Sequence, residues 1–110
     1  MEYILSIKQV YLDLIKQDKK IHEYRLANEE RRKIRIGDLL ILQSEKESLK
    51  VEVTNIKIVS SWYKALLNNY KKDFDGVYSS LEETMEACNK FYHEDDVKKY
   101  GIIIYTIKRK

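Results

Sequence analysis

The residues best placed to do chemistry lie in one short run, Lys20-Ile21-His22-Glu23-Tyr24-Arg25. It brings together two strong cations, a carboxylate, an imidazole and a phenol. In an extended strand alternate side chains share a face, so Ile21, Glu23 and Arg25 look one way and His22 and Tyr24 the other. Lys20, in the turn just before, can lean over the Glu23–Arg25 face. Charges gathered in this way can hold a phosphate or the edge of a base, and a lysine beside a carboxylate can relay a proton. The same spacing also describes a salt-bridged strand on the surface, and spacing alone leaves both readings open.

Other chemistry has less support. His22 and His93 are far apart in sequence, Cys88 falls on an apolar helical stripe, and no pair has the close spacing of metal ligands, so no metal is expected. Gly37, Gly76 and Gly101 stand alone and form no phosphate-cradling loop, and nothing calls for a cofactor. Cys88 with His93 or His22 would make a nucleophile pair. However, Cys88 shares its stripe with Leu81 and Met85, where a cysteine packs as a small hydrophobe. Ser80-Leu-Glu-Glu83 has the spacing of a capping box, in which serine and glutamate satisfy the first amides of a helix.

These residues must be positioned by a single domain spanning 1–110, since no proline-rich or glycine-rich linker divides the 110 residues. A hydrophobic fraction of 44%, with nine tyrosines and one tryptophan, excludes a disordered chain and permits an ordinary core. The net charge of +3 is too mild to imply a nucleic-acid partner by itself; specific binding would need the charges gathered in one place. One cysteine allows no internal disulfide and suits a reducing compartment. The sequence shows neither a signal-peptide pattern nor an apolar stretch near the roughly 20 residues of a membrane span. A cytoplasmic location without membrane contact is expected.

Tyr3 to Ile7 suits a short buried strand, and Val10, Tyr11, Leu14 and Ile15 then fall at helical spacing. Ile21 to Leu26 predicts a second strand, and Asn28 can cap a charged helical turn in which Glu29 faces Arg32 and Lys33. Gly37-Asp38 marks a turn before a buried strand, Leu39 to Leu42. A hairpin loop over 45–48 leads to a long strand, Leu49 to Val59, whose apolar phase slips near Thr54-Asn55; a β-bulge there would curve the sheet. Ser60 or Ser61 can cap a helix carrying Trp62, Leu66 and Tyr70 on one side. A second helix from Leu81 carries Met85, Cys88 and Tyr92, followed by a polar turn from His93 to Lys99. Gly101 to Ile107 closes the chain as a strand buried on both faces. The class is α+β, a curved or closed mixed sheet of about five strands with helices inserted between them.

Ile4-Leu-Ser-Ile-Lys8, Tyr11, Asp18-Lys-Lys20-Ile-His-Glu23-Tyr-Arg25 and Gly37-Asp-Leu-Leu-Ile-Leu42 together resemble the ASCH family of PUA-like domains. That family's hallmark is glycine, any residue, lysine, two of any kind, glutamate, any residue, arginine. Lys20, Glu23 and Arg25 match it, and Asp18 stands where the glycine is usual. The resemblance covers essentially the whole chain. It implies a small mixed β-barrel of about five or six strands with flanking helices. It also implies an RNA-binding or modified-nucleotide-binding module with the motif lining a cleft. Lys20 and Arg25 would then contact phosphate or base, with Glu23 orienting them or hydrogen-bonding a base, and Ser6, Lys8, His22 and Tyr24 bordering the same ligand.

One branch of the family resembles amidohydrolases that deacetylate acetylcytidine with a lysine, a threonine and a later glutamate. Lys20 matches the lysine and Glu83 the later glutamate, but Glu23 occupies the threonine position, and a carboxylate cannot stand in for a hydroxyl nucleophile. Lys20, Glu23 and Glu83 are thus the catalytic set if the protein is a hydrolase; ribonuclease activity is the other enzymatic alternative. A third class is an interaction adaptor, with Trp62, Tyr63 and Tyr70 exposed together as a docking patch.

Overall fold

Apolar alternation and turn chemistry give the sheet its five strands: β1 (Glu2–Ser6), β2 (His22–Leu26), β3 (Leu39–Gln43), β4 (Ser48–Val59) and β5 (Ile102–Arg109). The computed structural model describes all of residues 1–110. The spatial order is β1-β3-β4-β5-β2. β1 runs parallel to β3, and every other pairing is antiparallel. The phase slip in β4 is a register shift between Val53 and Asn55, which bends the long strand and curls the sheet into a half-barrel. The α+β, PUA-like architecture expected from the sequence is the one observed.

β5 reads as a continuous apolar run because both of its faces are covered. Ile103, Tyr105 and Ile107 point into the curl of the sheet, against Leu12, Leu40, Leu42, Val51 and Val53. Ile102 and Ile104 point the other way, into a layer of helices. Those helices are α1 (Gln9–Lys16), α2 (Glu29–Arg32), α3 (Trp62–Leu66), α4 (Tyr70–Asp73), α5 (Leu81–Cys88) and α6 (Glu94–Tyr100). α1 serves both sides, with Leu12 and Ile15 in the curl and Tyr11 in the helical layer. Asn28, Ser61 and Ser80 cap α2, α3 and α5 through their side-chain oxygens.

Four details differ from the sequence expectation. β1 is an edge strand with alternate residues exposed, because one face packs Tyr3 and Leu5 on the core inside the curl while Ile4 on the other face meets solvent. The ion pair on α2 joins Glu30 to Lys33 at 3.6 Å, rather than Glu29 to Arg32 or Lys33. The stripe from Trp62 to Tyr70 is split between α3 and α4, so Trp62 is buried while Tyr63 is exposed, and no shared docking patch forms. α5 ends at Cys88, and part of the polar turn after it is the helix α6. His93 caps α6, its first turn is acidic and its last turn basic, but it buries only Val97 and so lacks an apolar stripe.

Gly101 joins α6 to β5 at φ +81°, and a Cβ there would lie 2.6 Å from the carbonyl oxygen of Val59. Both strain and collision act against a side chain at this position. Gly101→Ala should lower stability by about 2 kcal/mol or more, read as an earlier urea midpoint with an unchanged slope.

Candidate functional site

The sheet does not close: β1 and β2 are its two edges. Across the gap between them the Arg25 guanidinium donates to the backbone carbonyl of Ser6 at 2.8 Å. A cavity of about 410 Å³ opens at this seam. The end of β1 contributes Ser6, Ile7 and Lys8, and β2 contributes Glu23, Tyr24 and Arg25. The helical layer supplies Tyr11, Trp62, Phe74, Cys88, Phe91 and Tyr92.

The β2–β5 register explains how one strand gives both charge and aromatic surface. Glu23 and Arg25 stand opposite Tyr105 and Ile103 and so face the curl, whereas Tyr24 and Leu26 stand opposite Ile104 and Ile102 and face the helices. Because β2 is an edge, a cavity at the seam reaches both sets. Lys20 completes the arrangement from the turn after α1. It is only 2% exposed, with Nζ 4.6 Å from the ring centre of Phe74, 5.0 Å from that of Tyr24 and 5.8 Å from that of Tyr11. Three aromatic faces thus enclose the ammonium, a strong cation–π setting for a desolvated charge.

Glu23 links the two cations. Its Oε1 accepts from Arg25 at 3.1 Å, and its Oε2 lies 3.8 Å from Lys20 Nζ, beyond hydrogen-bond range. Burial opposes the charge on Arg25, but the Glu23 carboxylate outweighs it and keeps the guanidinium pKa above its ordinary value. Burial pushes the Cys88 thiol up to about 12, partly offset by Lys20, so Cys88 is a protonated wall residue and not a nucleophile.

Beneath this group lies Asp73, the last residue of α4 and fully buried. It accepts from the backbone amides of Ile21 and His22 at 2.9 and 3.3 Å, from His22 Nδ1 at 2.8 Å, and from the Tyr24 hydroxyl. An ionised carboxylate can only accept, so the imidazole carries its proton on Nδ1. Burial alone would raise the Asp73 pKa. The bonds from His22, Tyr24 and Ile21, with the charge of Lys20, reverse this and hold it below the ordinary value.

Six residues singled out from the sequence meet on this cavity: Ser6, Lys8, Lys20, Glu23, Tyr24 and Arg25. Two do not. His22 points to the other side of β2 and is taken up by Asp73. Glu83 is a cap residue: its carboxylate accepts from the amide and hydroxyl of Ser79, its own amide donates to Ser80 Oγ, and it is absent from the cavity wall. Glu83 therefore stands apart from Lys20 and Glu23, which share the cavity wall. No cluster of three or more His, Cys, Asp or Glu side chains suits a metal, and no helix is long and apolar enough to cross a membrane.

A curled half-barrel with a helical layer and an open seam places the chain among PUA-like domains. More narrowly, the chain belongs to the ASCH domain family, whose model matches residues 5–102; it is a PUA-like family often linked to RNA binding. Two solved structures are similar over nearly the whole chain. One is the crystal structure of hypothetical protein PH0355, with 34% identity, 100% of each chain covered and a TM-score of 0.89. The other is the solution NMR structure of protein PF0455 from Pyrococcus furiosus, with 34% identity, 99% of this chain and 97% of that chain covered, and a TM-score of 0.79. A search of the curated proteins gives no match.

Proposed function

We propose that the protein is a binding module for RNA or a nucleotide-like ligand, which it takes into the seam cavity without chemistry of its own. The observation that carries this reading is Lys20. It is nearly fully buried, stands on the cavity wall, and no acceptor of the protein meets its three N–H donors within hydrogen-bond range. Leaving such donors unmet is costly, and a ligand acceptor removes that cost. The aromatic wall offers π-faces for stacking a base, a contribution of about 1–3 kcal/mol per base. Lys8, exposed at the rim, supplies a charge for the backbone.

The test is titration of single-stranded RNA at low salt, followed by the emission of Trp62, the only tryptophan and part of the cavity wall. Lys20→Met, which keeps an aliphatic chain among the three rings, should weaken binding about tenfold or more. Lys8→Ala should weaken it less and flatten its salt dependence by about one phosphate contact. Absence of binding at low salt, or equal binding by Lys20→Met combined with Arg25→Ala, would refute the proposal.

A further inference from the structure

Two neighbouring charged atoms on the cavity wall, both in nearly buried residues, lack a hydrogen bond within the protein. Lys20 Nζ and Glu23 Oε2 lie 3.8 Å apart, while Arg25 engages the other oxygen of Glu23. Their residues are 2% and 4% exposed. Neither atom is sealed off, since Trp62 Nε1 is the only buried side-chain N or O without a partner. The cavity thus presents one triple donor beside one acceptor, both held by surroundings that leave them little freedom. Lys20 is fixed by three rings, and Glu23 by the Arg25 fork, which is itself tied to Ser6.

A ligand that satisfies both atoms must place an acceptor and an N–H donor side by side on one edge. A backbone phosphate cannot do so. The phosphodiester of a nucleic-acid backbone has acceptors only, and contact with Lys20 would set its charge against Glu23 Oε2. A hydrocarbon ring would leave both atoms unmet. A neutral planar heterocycle carrying a carbonyl or ring nitrogen next to an N–H fits, and its faces suit the aromatic walls. Resting on the binding role proposed above, we infer that Lys20 and Glu23 read the acceptor–donor pairing edge of an unpaired base. Lys20 Nζ donates to the acceptor and Glu23 Oε2 accepts from the adjacent N–H. Phosphate lies outside, toward Lys8. This narrows the expectation from the family resemblance, in which Lys20 contacts phosphate or base, to the base.

The wild-type protein suffices for the test. Trp62 emission and backbone amide NMR shifts of cavity residues are followed while the four ribonucleosides are titrated, guanosine and uridine beside their analogues methylated at the ring N–H, adenosine and cytidine beside their analogues dimethylated on the amino group. Dimethyl phosphate, an acceptor-only phosphodiester, is titrated alone, and a single-stranded trinucleotide is compared with the same sequence held in a duplex. Each nucleoside that binds should lose about tenfold or more on methylation, because the methyl groups replace the N–H that Glu23 Oε2 accepts, the ring N–H in guanosine and uridine and the amino N–H in adenosine and cytidine. The trinucleotide should bind and the duplex should not. Equal binding of parent and methylated nucleosides would overturn the edge reading while leaving the cavity a binding site, as would dimethyl phosphate competing at the same cavity resonances. A protein on which neither nucleosides nor trinucleotide move the cavity signals would overturn the binding role as well.

Discussion

Asp73→Ala should be the most destabilising single substitution at the site, lowering stability by about 3–5 kcal/mol in urea unfolding. The carboxylate is fully buried and accepts from two backbone amides, an imidazole and a phenol. Removing it leaves several donors unmet where water cannot readily replace it, and each such donor costs about 1–3 kcal/mol. Asp73→Asn, similar in shape but able to accept at only one atom, should cost less. The wild-type protein should show the same dependence through pH. The folded-state pKa of Asp73 lies below its ordinary value. Its stabilisation is therefore complete above the ordinary aspartate range of about 3.9 and is lost as pH falls through the lower folded value. In Asp73→Asn the acid limb of the stability profile should flatten. An unchanged acid limb would show that the carboxylate's charge does not secure α4 to β2.

Glu23→Ala should be nearly as costly, about 3–5 kcal/mol, for a different reason. It leaves the buried Lys20 and the half-buried Arg25 without the carboxylate between them. Breaking a buried pair from one side exposes the full desolvation cost of the charge that remains. Lys20→Met should cost less, because Glu23 keeps Arg25 as a partner. In the Lys20→Met background Glu23→Ala should cost less than in wild type, since one orphaned cation is already gone. Urea midpoints for the two single variants and the double variant measure the coupling directly. A zero coupling would mean that the 3.8 Å approach of Lys20 and Glu23 carries no energy.

Much of this architecture could be read from local patterns. The alternation and phase slip in β4, the doubly apolar β5, the Ser61 and Ser80 caps and the shared face of Glu23 and Arg25 are written in short-range spacing. The site itself was only partly legible. Nothing near Lys71-Lys72-Asp73 distinguishes Asp73 from an ordinary surface charge; its role depends on α4 meeting β2 from 51 residues away in sequence. Tyr11 and Phe74 look like core residues, and they are, but they also enclose Lys20 because the core reaches the seam there. α6 escaped notice because helix formation rests there on capping and charge order rather than on an apolar stripe. Glu83, whose capping-box spacing is legible in the sequence, and His22 are reactive residue types that satisfy a neighbour.

The strand order also governs when the site can exist. β2 carries Glu23, Tyr24 and Arg25, and its only strand partner is β5 at the far end of the chain. During synthesis the motif emerges early but has no ladder to join until residues 102–109 are available. Pairing across so much sequence is slow, since closure of the long loop precedes any gain. The seam cavity should therefore form only once β5 can pair with β2, and a ribosome-held chain ending before Ile102 should have no seam cavity at all.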